Sequence, residues 1–492
     1  MHHAHFKLLQ ASMKPARRRM SGCVLEPLRL AVDWRTNRPS HWEKIPSERE
    51  MVAKDLGVKP NKVTSDYLTG IDLDALAYSA ARVISTDEQP TVSCWDEGSF
   101  NRIFLLHFKD LNRRLSARAG LAQRRVSRVP AIVASMAFAH YCWDIRSPRL
   151  LAWSDSDDTG VRVPYILAEF IDGVADCPSE RHNLLGENNV FEEMVCSDVA
   201  FWRRLPDHLQ RAGTLSFRSS AVDPSNADSY EVIPLQHNYF VVPGIDSPLV
   251  VTYSNFVARS TSLKGLWLEQ WSHLRDFCLA HADRSPLVNV AWHIYNEAEA
   301  AERARLVPRS DFLHVAELVR RFVLDVLAAL ERHPELGYSC LIRDDYAIRN
   351  VLFDQHTFRV KAFIDWDDVL VMPFASTAQL PDELMYFNTV GLPVDAQWEA
   401  DGSFGELPPY DPGASVKPIY DANGIREDLS LLDDMALRRR YRDALSRWDR
   451  TIMDRELMSI RDDVVRVRAL LNSSVNIWWE KRDWLARKCS RQ

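Results

Sequence analysis

No stretch of this 492-residue chain approaches the roughly 18 consecutive apolar residues of a helical membrane span, so none is expected. Eight cysteines are present, Cys23, Cys94, Cys142, Cys177, Cys196, Cys278, Cys340 and Cys489, but no two stand as Cys-x-x-Cys. No histidine cluster accompanies them at zinc spacing, which argues against a zinc module. Such cysteines read as reduced, mostly buried thiols of an intracellular protein. There is no Gly-x-Ser-x-Gly, and the 15 histidines show no triad context, which argues against a serine hydrolase. The net charge of −7 is small and no basic aromatic stripe occurs, so no nucleic-acid partner is expected. No internal repeat is present. The first 25 residues lack acids but carry Lys7, Lys14, Arg17, Arg18 and Arg19 among Phe6, Leu8 and Leu9. That pattern fits either a basic tail or a mitochondrial targeting segment, so the compartment reads as cytoplasmic or mitochondrial.

What the chain does contain is ample core material, 46% hydrophobic against 26% charged residues. Pro46-Ser47-Glu48-Arg49-Glu50 can open a helix, and Ile71 to Val83 offers a second. A meander of three strands follows, around Val92–Cys94, Ile103–Phe108 and Leu115–Ala119. Residues 127–143 read as a helix with Pro130 in its first turn, and Arg149–Trp153 and Val163–Phe170 as strands. From Cys177 to His333 the chain is mostly helical, interrupted by a hairpin-like section from Leu215 to Val242. Phe312 to Ala329 presents one apolar helical face, and 427–487 suggests two closing helices.

The most informative stretch is Leu341-Ile342-Arg343-Asp344-Asp345-Tyr346-Ala347-Ile348-Arg349-Asn350-Val351-Leu352-Phe353, followed by Phe363-Ile364-Asp365-Trp366. Val351–Phe353 and the alternating Phe358–Ile364 form a hairpin about the turn Asp354–Thr357. Folding it back brings Asp365 near the loop Asp345–Asn350. Phosphoryl transfer uses such a set: one carboxylate orients the attacking hydroxyl, while an amide and a second carboxylate hold metal on the nucleotide phosphates. Asp365-Trp366-Asp367-Asp368 also spells Asp-x-Asp-Asp, the acid pattern of one class of terpene cyclases.

This constellation resembles the catalytic core of the aminoglycoside phosphotransferase and choline kinase-like family. The usual run there is His-Gly-Asp, four variable residues, Asn, an apolar strand, then Ile-Asp-Trp. The resemblance implies an α+β, two-lobed protein-kinase-like fold with a small β-rich lobe and a large helical lobe, spanning about residues 90–390. It implies Asp345 as catalytic base, Asn350 and Asp365 as magnesium (Mg2+) ligands, and ATP as cofactor. Gly98-Ser99-Phe100-Asn101 resembles the short phosphate loop of the fungal branch, with Gly98, Ser99 and Asn101 as contacts. Arg118 stands where the wider kinase family has a phosphate-binding lysine. Glu169-Phe170-Ile171-Asp172-Gly173 resembles the hinge that joins the lobes, with Glu169 at the adenine.

Three departures accompany the resemblance. No Glu occurs between Glu97 and Glu169, so the helix that should hold the phosphate-binding cation offers Ile132 instead. Arg118 replaces the lysine. Arg343-Asp344 replaces His-Gly, and Arg343 can either pair with Asp365 or Asp344 or serve as a structural guanidinium. The implied organisation is a basic tail (1–30), a helical extension (31–90), the small lobe (91–172), the large lobe (173–400), a linker (401–426) and C-terminal helices (427–492). Three function classes follow: a small-molecule kinase acting on a hydroxyl or amine, a pseudokinase that binds without turnover, and a kinase-fold enzyme repurposed for other chemistry on a diphosphate or secondary metabolite.

Overall fold

Local signals start two helices ahead of the first described strand. In the computed structural model, α1 (Glu48–Asp55) begins at a capping box, in which the Ser47 side chain accepts from the Glu50 amide and the Glu50 carboxylate accepts from the Ser47 amide. Helix α2 (Leu73–Val83) is capped by Asp72, whose carboxylate accepts the Ala75 N–H at 3.2 Å. The structure describes residues 34–65, 68–97, 101–121, 129–156, 160–175, 190–219, 223–234, 262–281, 309–377, 381, 440–441, 443–472, 478 and 481–490.

The chain divides into two compact units. The first runs to Ile171 and includes Ser216–Glu231. It holds five antiparallel strands, β1 (Thr91–Glu97), β2 (Asn101–Phe108), β3 (Arg113–Gly120), β4 (Leu150–Ser154) and β5 (Tyr165–Glu169), ordered β1-β2-β3-β5-β4. Strict alternation along β2 and β3 puts Phe104, Leu106, Phe108, Leu115, Ala117 and Ala119 on one face. The buried residues Leu76, Ala77 and Ala80 of α2 join them in one apolar core. Each fully buried Phe or Leu there contributes about 1.5–3 kcal/mol. Ile103 and Arg118 lie half-buried on the opposite face. Helix α3 (Val129–Ala137) packs on β4 and β5 and continues as a wider π turn to Cys142.

The sequence placed the return strand of the hairpin after Leu215 at Tyr239–Val242. The partner of β6 (Thr214–Phe217) is instead β7 (Tyr230–Ile233), and 239–242 lie outside the described residues. The turn at Asp223–Asn226 is closed by side-chain and main-chain bonds that shorten the excursion.

The second unit comprises Asp172–Leu215 and Val232–Gln492. Its longer described helices are α4 (Val190–Asp198), α5 (Leu263–His281), α6 (Arg309–Arg332), α7 (Arg455–Asn472) and α8 (Arg482–Ser490). Helix α6 is the spine: its apolar stripe Val319, Phe322, Val323 and Val326 shares a core with Val467 and Leu470 of α7 and Trp484 of α8. Phe322 and Trp484 meet edge to face at 5.2 Å. The same core takes in Cys340 and Ile342 of β8 (Ser339–Arg343), and Leu370 and Met372 of β11 (Val369–Pro373), so α6 packs beneath the motif loop. Between those strands lies the hairpin β9 (Val351–Phe353) and β10 (Val360–Phe363), whose second strand is shorter than the alternation from Phe358 implied. Val174 exchanges two main-chain bonds with Phe353, and a Cβ on the adjoining Gly173 would stand 3.0 Å from the Leu352 Cβ, so this close approach favours glycine. Among the described residues, no helix is long and apolar enough to cross a membrane.

Candidate active site

Strands β8 and β11 pair antiparallel, with Arg343 opposite Val369, and the register extends one step further as Asp344 N–H donates to Asp368 O at 2.7 Å. The chain then turns through Asp345–Ala347 into a single 3-10 turn, Ile348–Asn350. That turn brings Asn350 back over Asp345. Its amide Nδ2 donates to Asp345 Oδ2 at 3.0 Å and to the Asp345 carbonyl at 3.1 Å. Arg349 donates to the other oxygen, Oδ1, at 2.8 Å.

Asp365 reaches the same corner through the hairpin. Phe363 faces Val351, and the next amide, Ile364 N–H, donates to the Asn350 carbonyl at 2.9 Å. Asp365 follows with φ 56°, a left-handed conformation that costs about 1 kcal/mol and that Asp tolerates better than most residues. Trp366 locks this reversal, being buried and donating its indole N–H to Phe363 O at 2.9 Å. Asp345 and Asn350 thus touch directly, and the Asp365 backbone is carried alongside Asn350 with its side chain exposed.

Arg343 is a structural guanidinium. Fully buried, it donates to Asp198 Oδ1 at 2.6 Å, at the end of α4. Its guanidinium carbon lies 4.4 Å from the Phe363 ring centroid, 4.8 Å from Tyr346 and 5.4 Å from Phe201. Tyr346 donates its hydroxyl to the second Asp198 oxygen and meets the Tyr441 hydroxyl at 2.5 Å. Burial pushes the Asp198 carboxyl up, against the opposing pull of Arg343 and the Tyr346 hydroxyl. Burial likewise pushes both phenols up, so they act as neutral hydrogen-bonding groups.

The C-terminal helices reach the same loop. Arg468 of α7 forms an ion pair with Asp344 and lies 3.4 Å from Ser376 O. Burial pushes its pKa down to about 10, still charged at neutral pH. Seven residues earlier on the same helix, Arg461 binds Asp449, Thr451 Oγ1 and Thr377 Oγ1, the latter two at 2.7 Å, and lies over Phe374.

The residues expected at a nucleotide are distributed over the sheet of the first unit. Asn101 opens β2 opposite Gly120. Arg118 sits in register between Ile103 and Ile166. Gly98 and Ser99 lie outside the described residues. Ile132 is buried in α3, and that helix, Val-Pro-Ala-Ile-Val-Ala-Ser-Met-Ala, carries no acid. Glu169 ends β5, and its carboxylate accepts from Arg149 at 2.5 Å and Arg113 at 3.1 Å. Burial would raise its pKa, but the bonds and charges of these two arginines together lower it. Its side chain therefore serves the sheet.

Residues 271–376 match the phosphotransferase enzyme family (APH). Asp345, Asn350 and Asp365 all fall in that phosphotransferase-family segment, and the chain resembles the aminoglycoside phosphotransferases to which the motif pointed. No curated protein matches the chain. Among solved structures it is similar to a thermostable mutant of aminoglycoside phosphotransferase APH(4)-Ia in ternary complex with AMP-PNP and hygromycin B, at 14% identity and a TM-score of 0.38, covering 84% of this chain and 97% of that one. It is also similar to Plasmodium vivax ethanolamine kinase, at 10% identity and a TM-score of 0.35, covering 87% and 95%. A third is aminoglycoside phosphotransferase APH(3'')-Id from Streptomyces rimosus, at 13% identity and a TM-score of 0.32, covering 80% and 99%.

Sequence reasoning missed Asp198, Tyr441 and Arg468, which lie 145, 95 and 124 positions from the loop residues they hold (Arg343–Asp198, Tyr346–Tyr441, Asp344–Arg468). No local pattern marks them. Tyr346 and Arg349 lie inside the motif run itself, and the spacing of Arg349 four residues after Asp345 was a readable signal.

Proposed function

We propose that this chain is an ATP- and magnesium-dependent phosphotransferase acting on a hydroxyl or amine of a small molecule, with an altered nucleotide site. The observation that carries the reading is the contact of Asn350 Nδ2 with Asp345 Oδ2 at 3.0 Å, beside the hairpin that delivers Asp365. The match of residues 271–376 to the phosphotransferase family supports it.

In this reading, Asp345 accepts the proton of the acceptor hydroxyl as its oxygen attacks the γ-phosphorus. Asn350 fixes the carboxylate by holding Oδ2. Because its nitrogen is committed to Asp345, its carbonyl oxygen is the atom left for a cation, and oxygen is the ligand that magnesium prefers. The exposed carboxylate of Asp365 is the second ligand of that chemistry. Among the described residues, no group of three or more His, Cys, Asp or Glu side chains could hold a metal. One amide and one carboxylate suit an ion that takes its remaining ligands from phosphates and water. When bound, the ion neutralises charge on the phosphate oxygens. Arg118, with Gly98, Ser99 and Asn101, would hold the phosphates, and the main chain at Glu169 the base.

Calorimetric titration with ATP, with and without magnesium, tests the reading. Magnesium-dependent binding is expected. Asp345→Ala should keep binding and lower turnover by about 10²–10⁴-fold. An Asp345→Ala protein that retains full activity on an acceptor found by screening hydroxylated and aminated metabolites overturns the mechanism.

A second reading, a binding protein without turnover, is favoured by one feature: the apolar α3, with Ile132 where a glutamate would hold the phosphate-binding cation. Nucleotide binding without transfer to any acceptor is the outcome that selects it.

A further inference from the structure

Both oxygens of Asp345 are engaged, but by unlike partners. Asn350 is buried and holds Oδ2 through a side chain that also braces the Asp345 carbonyl. Arg349 is exposed and holds Oδ1. The 3-10 turn dictates this division. Ile348 and Asn350 point inward and are buried, so the residue between them must point out, at the spacing where its guanidinium meets the carboxylate four residues earlier.

We propose that Arg349 is a positioning residue that caps Asp345 Oδ1 until an acceptor displaces it, restraining transfer of the phosphoryl group to water. The inference rests on the phosphotransferase reading, in which Asp345 is the base. A base must direct a lone pair at the proton it takes. Asn350 fixes one side of the carboxylate permanently, so proton transfer falls to the side that Arg349 covers. An ion pair of two partly exposed side chains is weak and yields to a ligand with several contacts of its own. Water has no such contacts and competes poorly with a tethered guanidinium. An acceptor anchored elsewhere can turn Arg349 aside and offer its hydroxyl to Oδ1. The balance is that of ordinary transfer. The acceptor oxygen forms a bond to the γ-phosphorus, the bond to the β–γ bridging oxygen breaks, ADP leaves and the hydroxyl proton passes to Asp345. With water as acceptor, the products are ADP and inorganic phosphate.

The test is ADP release by the full chain at saturating magnesium–ATP with no acceptor added. Arg349→Ala should raise this basal hydrolysis about fivefold, the factor that corresponds to a pair of that strength. Its affinity for magnesium–ATP should not change. Arg349→Lys should return hydrolysis close to the parent rate, and Arg349→Ala combined with Asp345→Asn should remove the rise. A destabilised fold would lower hydrolysis, so a rise cannot come from damage. Unchanged or reduced hydrolysis in both Arg349→Ala and Arg349→Gln, with magnesium–ATP still bound, overturns the cap. Failure of the parent protein to bind magnesium–ATP overturns the phosphotransferase reading itself, and the same titration reports it.

Discussion

The first unit buries the pair Arg102–Glu48, and the second buries Arg343–Asp198 as well as Arg461–Asp449; the Glu48 and Asp198 pairs are built differently. In the first, Glu48 of α1 accepts from Arg102 of β2 at 2.6 Å and from the main-chain amides of Thr69 and Gly70 at 2.8 and 2.9 Å. In the second, Asp198 accepts from Arg343 and Tyr346, with aromatic rings around the guanidinium. The first carboxylate is a fixture of the backbone, because it satisfies two main-chain amides, one of them that of the buried Thr69. The second belongs to a side-chain network whose members have alternative partners, since Tyr346 also meets Tyr441. A buried ion pair gains little over apolar packing, but breaking one half of it is costly. The units should therefore respond alike to single substitutions and differently to double ones.

The largest effects test that contrast. Arg343→Ala and Glu48→Ala should each cost about 3–5 kcal/mol in urea unfolding, each leaving a buried charge without its partner. Arg343→Met with Asp198→Leu should recover most of the loss. Glu48→Leu with Arg102→Met should not, because the buried Thr69 amide without an acceptor still costs about 1–3 kcal/mol. Equal recovery in both double variants would erase the distinction.

A smaller effect is expected where the C-terminal helix meets the loop. Arg468→Met removes the partner of Asp344, a less deeply buried carboxylate, and should cost about 1.5–3 kcal/mol. Since Asp344 adjoins Asp345, kcat should fall more than nucleotide affinity. A loss confined to stability would show that α7 supports the fold but not the geometry of the loop.

The smallest effect is a pH dependence. The carboxyl of Glu169 is lowered by Arg149 and Arg113 in the folded protein. Its contribution to stability is fully present above the ordinary carboxylate value of about 4.3 and is lost as pH falls through the lower folded value. Arg149→Ala should flatten the acid limb of unfolding curves by lowering stability slightly at neutral pH, where the contribution is fully present, while leaving the acid end unchanged. An acid limb identical to that of the parent would remove Glu169 from the account.

Much of the fold was legible because its signals are local. The Ser47 capping box, the Asp72 cap and the alternation along β2 act over a few residues, within reach of pattern. The return strand at Tyr230–Ile233 was not, because its residues differ little from those of the later Tyr239–Val242 run, so composition does not single it out as the partner of β6. At the site, the Asp345–Asn350 contact could be read from their spacing, since five residues and one tight turn leave the side chains few places to go. The role of Arg343 could not. Its two readings differed only in which carboxylate came near, and Asp198 is 145 residues away.

The amino-acid order alone therefore determined the α+β character, the hairpin that carries Asp365 toward Asn350, and the absence of a glutamate from α3. These follow from periodicity, turn chemistry and residue type, which need no partner. Tertiary packing decided which charges are neutralised: Arg343 by Asp198, Asp344 by Arg468, Glu48 by Arg102. Such pairings depend on helices and strands far apart in the chain converging on one buried volume, and there any unpaired charge would cost several kcal/mol.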